Sequence, residues 1–553
     1  MRGGIGQNFY SLFLQYVKTA KQRTLVAINL FFIMFAWVIV RLFQLMVIDG
    51  GVAKKYDNAV PAIISRADIL DRNGSIVATS LPTVSAYACP HEILDVDEAV
   101  GKICFVFKEM NKKDLRKKIL SSKKFLWVKR NLTPQQEQAL LNQGIPGVRF
   151  LKTERRVYPD QNLFAHVIGG TDVDNIGIAG IEKVFDEPLR YSKCPIVLSV
   201  DVKIQHAVRD ELLKSIAEFR AVGGAAIVMD IATGEIISLV SLPDFDPNKN
   251  ANPEAKERFN MVTSSAIEPG SSAKIFNTAM ALESGKITPF TQFDARFPLK
   301  IGRFTVNDFK GKARFLSMEE VLKYSSNIGS GKIALEIGAA AQKKFYKHIG
   351  LLDSVACELL ETQHPLYPRR WSDASAITIS YGHGIAFSPL HLITIFSGIV
   401  NDGILNDPTL LKRNSASKNR RIVCTKTSKQ LHALLRLNVI EGTNKFANVP
   451  GYSVGGKSGS AEKAKGGRYS KHLNYCGFIG AFPMISPRYA VYVVLDEPKA
   501  TPKTHGYATA GWNAVPTSGR IIKRIGSMLN IVANEKEQNW SDVLKCETAK
   551  KKY

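Results

Sequence analysis

Residues 268–276 read EPGSSAKIF. Pro269 and Gly270 break the chain; two serines, an alanine and a lysine follow, and Ile275–Phe276 opens an apolar run. From Ser271 the segment SSAKIFNTAMALES keeps helical spacing as far as Gly285, which predicts a helix with Ser271 near its first turn. Lys274 then lies three residues on, over the same face and within reach of the Ser271 hydroxyl. Ser272 is one position too late for that pairing. A serine hydroxyl is a poor nucleophile until a base takes its proton, and a lysine can be that base only when neutral. The positive end of a helix and a second lysine nearby would both favour the neutral form. Read alone, the same S-x-x-K pattern also describes an N-cap serine beside a solvated lysine, so the rest of the chain has to decide.

Two more motifs follow in order. Ser325–Ser326–Asn327 contains S-x-N, and Lys457–Ser458–Gly459 is K-S-G, with Ser460 next to it. Each is common by chance, but the ordered trio is the set carried by serine enzymes that react with penicillins. A rival reading shares Lys457. GYSVGGKSG (451–459) also fits G-x-x-x-x-G-K-[ST], which would put Lys457 on phosphates and Ser458 on Mg²⁺. That loop needs a helix after it, and SAEKAKGGRYSKH lacks helical apolar spacing.

The chain around these motifs has 553 residues, 45% of them hydrophobic, which is too long for one ordinary core. Seven cysteines lie singly, without metal-type spacing or a disulfide framework. The formal charge of +25 favours anionic surroundings, but no basic stripe interleaves with aromatics, so nucleic acid is not an expected partner. His166, His206, His383 and His391 have no close metal-type partners and read as structural, and no metal site is expected.

The stretch 24–40, TLVAINLFFIMFAWVIV, carries no charge, and apolar character resumes after Arg41 through Ile48. That is enough to cross a bilayer, and no small-residue cleavage site follows, so it reads as an uncleaved anchor over 24–48. Arg2, Lys18, Lys21 and Arg23 precede it without an acidic residue, which places 1–23 in the cytoplasm and the remainder outside.

Beyond the anchor, two units are expected. Residues 50–190 are mixed and show no catalytic constellation; SRADILDRNGSIVAT (65–79) reads as a hairpin turning at Asn73–Gly74. This is a pedestal or interaction module. Residues 196–530 begin with a strand and a helix, then a hairpin around Ala232–Thr233–Gly234, and end with strands over 474–483 and 488–498. Hairpins bracketing a helical middle predict an α+β unit, an antiparallel sheet flanked by helices. The polar tail, 531–553, reads as loose.

With the motifs in place, the chain resembles the class B penicillin-binding proteins, most of all the division-specific (septal) peptidoglycan D,D-transpeptidases. The pedestal carries R-x-x-I-x-D-R-N-G as Arg66, Ile69, Asp71, Arg72, Asn73 and Gly74. It also carries Arg156 with Tyr158–Pro159, Ala165–His166 with Gly169, and Gly180–Ile181–Glu182. SYGHGIAFSPLHL (380–392) and DEP (496–498) look like family signatures in the catalytic unit. Ala67 stands where glycine is usual, and Ser458 and Ser460 where threonine is more common.

The resemblance implies a penicillin-binding, serine β-lactamase-like fold and the following roles. Ser271 attacks the carbonyl of a D-Ala–D-Ala stem peptide and Lys274 takes its proton. Ser325 relays a proton to the departing D-Ala with help from Lys457, and Asn327 orients the peptide amide. Lys457 and Ser458 hold the terminal carboxylate on the strand that Gly459 and Ser460 continue. The backbone N–H groups of Ser271 and Ser460 form the oxyanion hole, each worth roughly 3–4 kcal/mol of barrier in related acyl transfer. An amine of a neighbouring stem peptide then accepts the acyl group, without metal or organic cofactor. β-Lactams acylate Ser271, and the protein works beside a polytopic glycosyltransferase and other division proteins at the inner membrane, its catalytic part periplasmic. An elongation-specific transpeptidase, a β-lactam sensor or β-lactamase, and a non-catalytic division scaffold are the alternatives on the same fold.

Overall fold

The structure, a computed structural model, describes residues 5–44, 65–249, 255–302, 304–413, 419–465, 468–534 and 538–550. Residues 1–64 form one unit and 65–553 another. In the first, helix α1 spans Ile5–Phe43. Its portion Tyr16–Phe43 is long and apolar enough to cross a membrane, and an 18-residue stretch within it has a mean hydropathy of 2.4 and no buried share. Phe31, Phe32 and Trp37 all stand exposed, as side chains that meet lipid do. The expected end of the span, 45–48, and the first part of the pedestal, 50–64, lie outside the described residues, as does Arg2.

The second unit opens with the expected hairpin, β1 (Ile69–Leu70) against β2 (Ile76–Ala88). Its turn forms because the Asp71 carboxylate accepts the backbone N–H groups of Asn73 and Ser75, both at 2.8 Å, while Gly74 takes φ +88°. β2 runs on to pair with β3 (Leu126–Leu132) and β4 (Val148–Val157). Between β2 and β3, helices α2 (Val96–Val106) and α3 (Lys112–Ser121) place Ile103, Phe107 and Ile119 in a small core of their own. The scattered pedestal motifs meet in a buried charge cluster. Glu182 accepts from Arg66 Nε and Arg156 Nε, each at 2.7 Å, and Arg66 also reaches Asp186 at 2.7 Å. β1 continues parallel to β5 (Ile196–Val197), which leads into the catalytic part.

There, helix α4 (Val202–Phe219) precedes the hairpin β6 (Gly223–Asp230) and β7 (Ile236–Leu242). The last three strands are β8 (Gly455–Lys465), β9 (Arg468–Phe482) and β10 (Tyr489–Asp496). All five form one antiparallel sheet in the order β8-β9-β10-β6-β7. Both faces of the middle strands are covered, which is why β6, β7 and β10 read as largely apolar runs rather than alternating ones. Ala225, Ile227 and Met229 point to one core, with helices from the middle of the chain. Ala226 and Val228 point to the other, against Val208 and Leu212 of α4 and Ile521 and Ile522 near the C-terminus.

The tail departs from expectation. Helix Trp540–Ala549 forms and packs on helix Thr425–Ile440, with Trp540 and Leu544 buried in the larger core. Trp540 and Leu544, four residues apart, make one apolar stripe in an otherwise polar segment, enough to dock a short helix.

Candidate active site

Ser271 lies on a tight 3₁₀ turn, Gly270–Ala273, which runs directly into helix α5 (Lys274–Ser284). Gly285 ends that helix in the left-handed conformation, as the sequence indicated. Ser271 does not cap the helix: its Oγ and Lys274 Nζ are 2.7 Å apart. Lys274 Nζ also lies 2.7 Å from Asn327 Oδ1 and 3.4 Å from Ser325 Oγ. The first two motifs therefore converge on one nitrogen. Ser325 sits at φ +60° between helices α6 (Met318–Lys323) and α7 (Asn327–Ile337), a strained conformation of the kind that collects at functional sites.

That S-x-N turn is held by a residue the sequence reading missed. Asp308 accepts from the backbone N–H groups of Asn327 and Ile328, at 2.5 and 3.0 Å, and from Ser326 Oγ at 2.7 Å. It comes from an irregular loop, VNDFKGK, with no motif to announce it.

The third motif arrives on β8, where Lys457 pairs with Ile479 and Ser460 with Cys476. Strand continues to Lys465, so Lys457 is not on a phosphate-binding loop. Gly459 and Gly270 allow the close approach of strand and nucleophile turn. A Cβ on Gly459 would stand 2.1 Å from Pro269 O, and one on Gly270, at φ +53°, 2.5 Å from Ser460 O. Ser272 is buried here, its Oγ 3.5 Å from the Lys457 carbonyl, facing the strand and not Lys274. Ser458 is half-buried, and the exposed Ser460 accepts the Ala510 N–H at 2.9 Å.

Both lysines are almost inaccessible, at 1% for Lys274 and 0% for Lys457. Burial pushes the Lys274 ammonium well below its ordinary range; the Lys457 charge adds to this, and the Asp308 carboxylate opposes it. Burial alone pushes Lys457 down to about 7. The second lysine was foreseen from the sequence, but burial comes first.

His166 and His391 are core histidines, each with Nε2 on a backbone carbonyl (Glu257 at 2.8 Å, Gly350 at 3.0 Å) and each pushed by burial to about 4. His383 differs from the expected structural histidine: it is partly exposed and pairs with Glu268, beside the site.

A serine, a buried lysine on its hydroxyl and a second buried lysine on an adjoining strand are the kinds of group that a serine acyl transfer needs. Residues 224–516 match the penicillin binding protein transpeptidase domain, and 62–209 the penicillin-binding protein dimerisation domain. The chain is 35% identical to the probable peptidoglycan D,D-transpeptidase FtsI of Caulobacter vibrioides, over 87% of this chain and 83% of that one. It is 31% identical to the probable peptidoglycan D,D-transpeptidase PenA of Neisseria gonorrhoeae, over 86% of this chain and 85% of the relative. The fold is shared with penicillin binding protein 3 of Mycobacterium tuberculosis, solved with aztreonam, at a TM-score of 0.68 and 21% identity, covering 85% of this chain and 97% of that one. The chain belongs to the class B penicillin-binding proteins, the peptidoglycan D,D-transpeptidases that carry a dimerisation-type domain ahead of the catalytic one.

Proposed function

We propose that this enzyme cross-links stem peptides at the division septum through an acyl-enzyme on Ser271. The observation that carries the reading is the 2.7 Å contact between Ser271 Oγ and the nitrogen of a buried lysine. A neutral Lys274 has N–H groups to donate and one lone pair. Asn327 Oδ1, at 2.7 Å, can only accept, so it takes an N–H and leaves the lone pair for the Ser271 proton. Oγ then attacks the D-Ala–D-Ala carbonyl, and the N–H groups of Ser271 and Ser460 receive the oxyanion. Ser325, 3.4 Å from Lys274 Nζ, passes the proton to the leaving D-Ala nitrogen. Asn327 orients the peptide amide, while Lys457 and Ser458 hold the terminal carboxylate along the β8 backbone of Gly459 and Ser460. β-Lactams enter by the same route and remain on Ser271.

Residues 1–23 face the cytoplasm, since Lys18, Lys21 and Arg23 precede the apolar segment without acidic company. The pedestal (50–190) and the transpeptidase unit (196–530) work outside, beside a membrane glycosyltransferase that supplies glycan strands. Depleting the protein in its host tests the septal assignment. Smooth filaments that keep elongating are expected; rounded cells would instead assign the enzyme to elongation.

A further inference from the structure

Outside the roles given above, one cluster at the edge of the site has unused chemistry. Glu268, three residues before the nucleophile, joins three separate elements. Its Oε1 accepts Tyr469 O–H at 2.7 Å from β9 and Gly384 N–H at 2.9 Å from the SYGHG loop. Its Oε2 lies 2.9 Å from His383 Nδ1. This close ion-pair contact favours a proton on Nδ1, which leaves Nε2 as the atom that can take or give a proton. Nε2 has no hydrogen-bond partner among the described residues, and the His383 side chain is 38% exposed. Its ring stands edge-on to Tyr381, centroids 6.1 Å apart, and the Tyr381 ring lies 6.0 Å from Lys274 Nζ. One aromatic ring therefore separates this imidazole from the nucleophile pair.

The transfer half-reaction needs such a group. An amine acceptor reaches the site as an ammonium, with a pKa near that of lysine, about 10. Two protons must leave its nitrogen. Lys274 can carry one back to Ser271 Oγ as the ester C–O bond breaks, and the first has to go elsewhere before the C–N bond can form. We propose that His383, positioned by Glu268, receives the acceptor amine: Nε2 takes one proton from the ammonium, the freed amine attacks the acyl carbonyl, and the imidazolium then returns its proton to solvent. This rests on Ser271 being the acylated residue.

The charged and titratable groups facing His383 are Glu268 on the nucleophile turn, Glu462 on β8, Tyr469 on β9 and Tyr381 on its own loop. Glu268 first and Glu462 last raise the imidazole above its ordinary value, against burial. Transfer to an amine should therefore rise with pH through a value above 6.5.

The test uses the full chain in detergent, a D-alanyl thioester as donor and D-alanine as acceptor, from pH 5.5 to 9. Acylation rate and the partition of the acyl-enzyme between amine and water are read separately. His383→Gln and Glu268→Gln are expected to lower the amine-to-water partition at least fivefold at pH 7.5 and to remove its pH limb, with acylation changed less than twofold. An unchanged partition would overturn the proposal. So would an equal fall in acylation and transfer, which is what a merely structural clasp predicts. Failure of the unsubstituted chain to acylate at Ser271 would instead remove the reading beneath it.

Discussion

Capture of the substrate carboxylate should weaken as pH rises above about 7, because burial places Lys457 there. The perturbation is pH itself. A carboxylate bound beside Nζ favours the charged lysine, so the bound-state value lies above the free one. Above pH 7 binding must then take up a proton, and the apparent dissociation constant rises by up to about tenfold, or 1.4 kcal/mol, per pH unit. Between pH 7 and 8.5 the loss reaches about 16-fold, roughly 1.7 kcal/mol, if the bound-state value is higher still. Lys274 works in the opposite sense on a different constant: its neutral form is the base, so the acylation step speeds up as pH rises until that lysine is fully neutral. Stopped-flow acylation by a fluorescent penicillin between pH 6 and 9 separates the two constants. A dissociation constant that stays flat across that range would refute the reasoning about Lys457.

Other consequences can be checked on purified variants. Lys457→Met should abolish acylation yet stabilise the fold at pH 6 by on the order of 4 kcal/mol, because an ordinary lysine is held far below 10.5 by burial. The sign follows from proton counts: between about 7 and 10.5 the unfolded chain binds more protons at this site, so wild-type stability rises with pH through that window, and thermal melts of the Met variant should lack that rise. Glu182→Gln leaves the Arg66 and Arg156 guanidiniums buried without their shared carboxylate, at a cost of about 3–5 kcal/mol visible in denaturant titration. Gly459→Ala drives a methyl to 2.1 Å from Pro269 O, which must push the strand from the nucleophile turn, slowing acylation about 100-fold and costing about 1–3 kcal/mol of stability, read by acylation kinetics and denaturant titration.

The parts of the site that could be read in advance are those whose geometry is local or whose order is distinctive. Ser271 and Lys274 are one helical turn apart, and the hairpins at Asn73–Gly74 and Ala232–Gly234 follow from turn chemistry. The pedestal motifs looked like separate signatures because Arg66, Arg156 and Glu182 are far apart in the chain; only folding shows one carboxylate between two arginines. Asp308 and the Glu268–His383–Tyr469 clasp stayed hidden for the same reason, since each draws its partners from different elements. The depth of the two lysines was also out of reach: Lys274 opens a helix and Lys457 sits in a Gly- and Ser-rich strand, and neither local pattern shows what packs over the side chain. In the tail, composition outweighed pattern, and the Trp540–Leu544 pair was passed over.

The central claim, a nucleophile at Ser271 activated by Lys274, is tested most directly by intact mass after incubating the full chain with a penicillin, beside Ser271→Ala and Ser272→Ala. The geometry predicts one stable adduct on the unsubstituted chain and on Ser272→Ala, and none on Ser271→Ala, because Ser271 and not Ser272 lies against Lys274 Nζ. An adduct that persists in Ser271→Ala, or its absence from the folded unsubstituted chain, would contradict it.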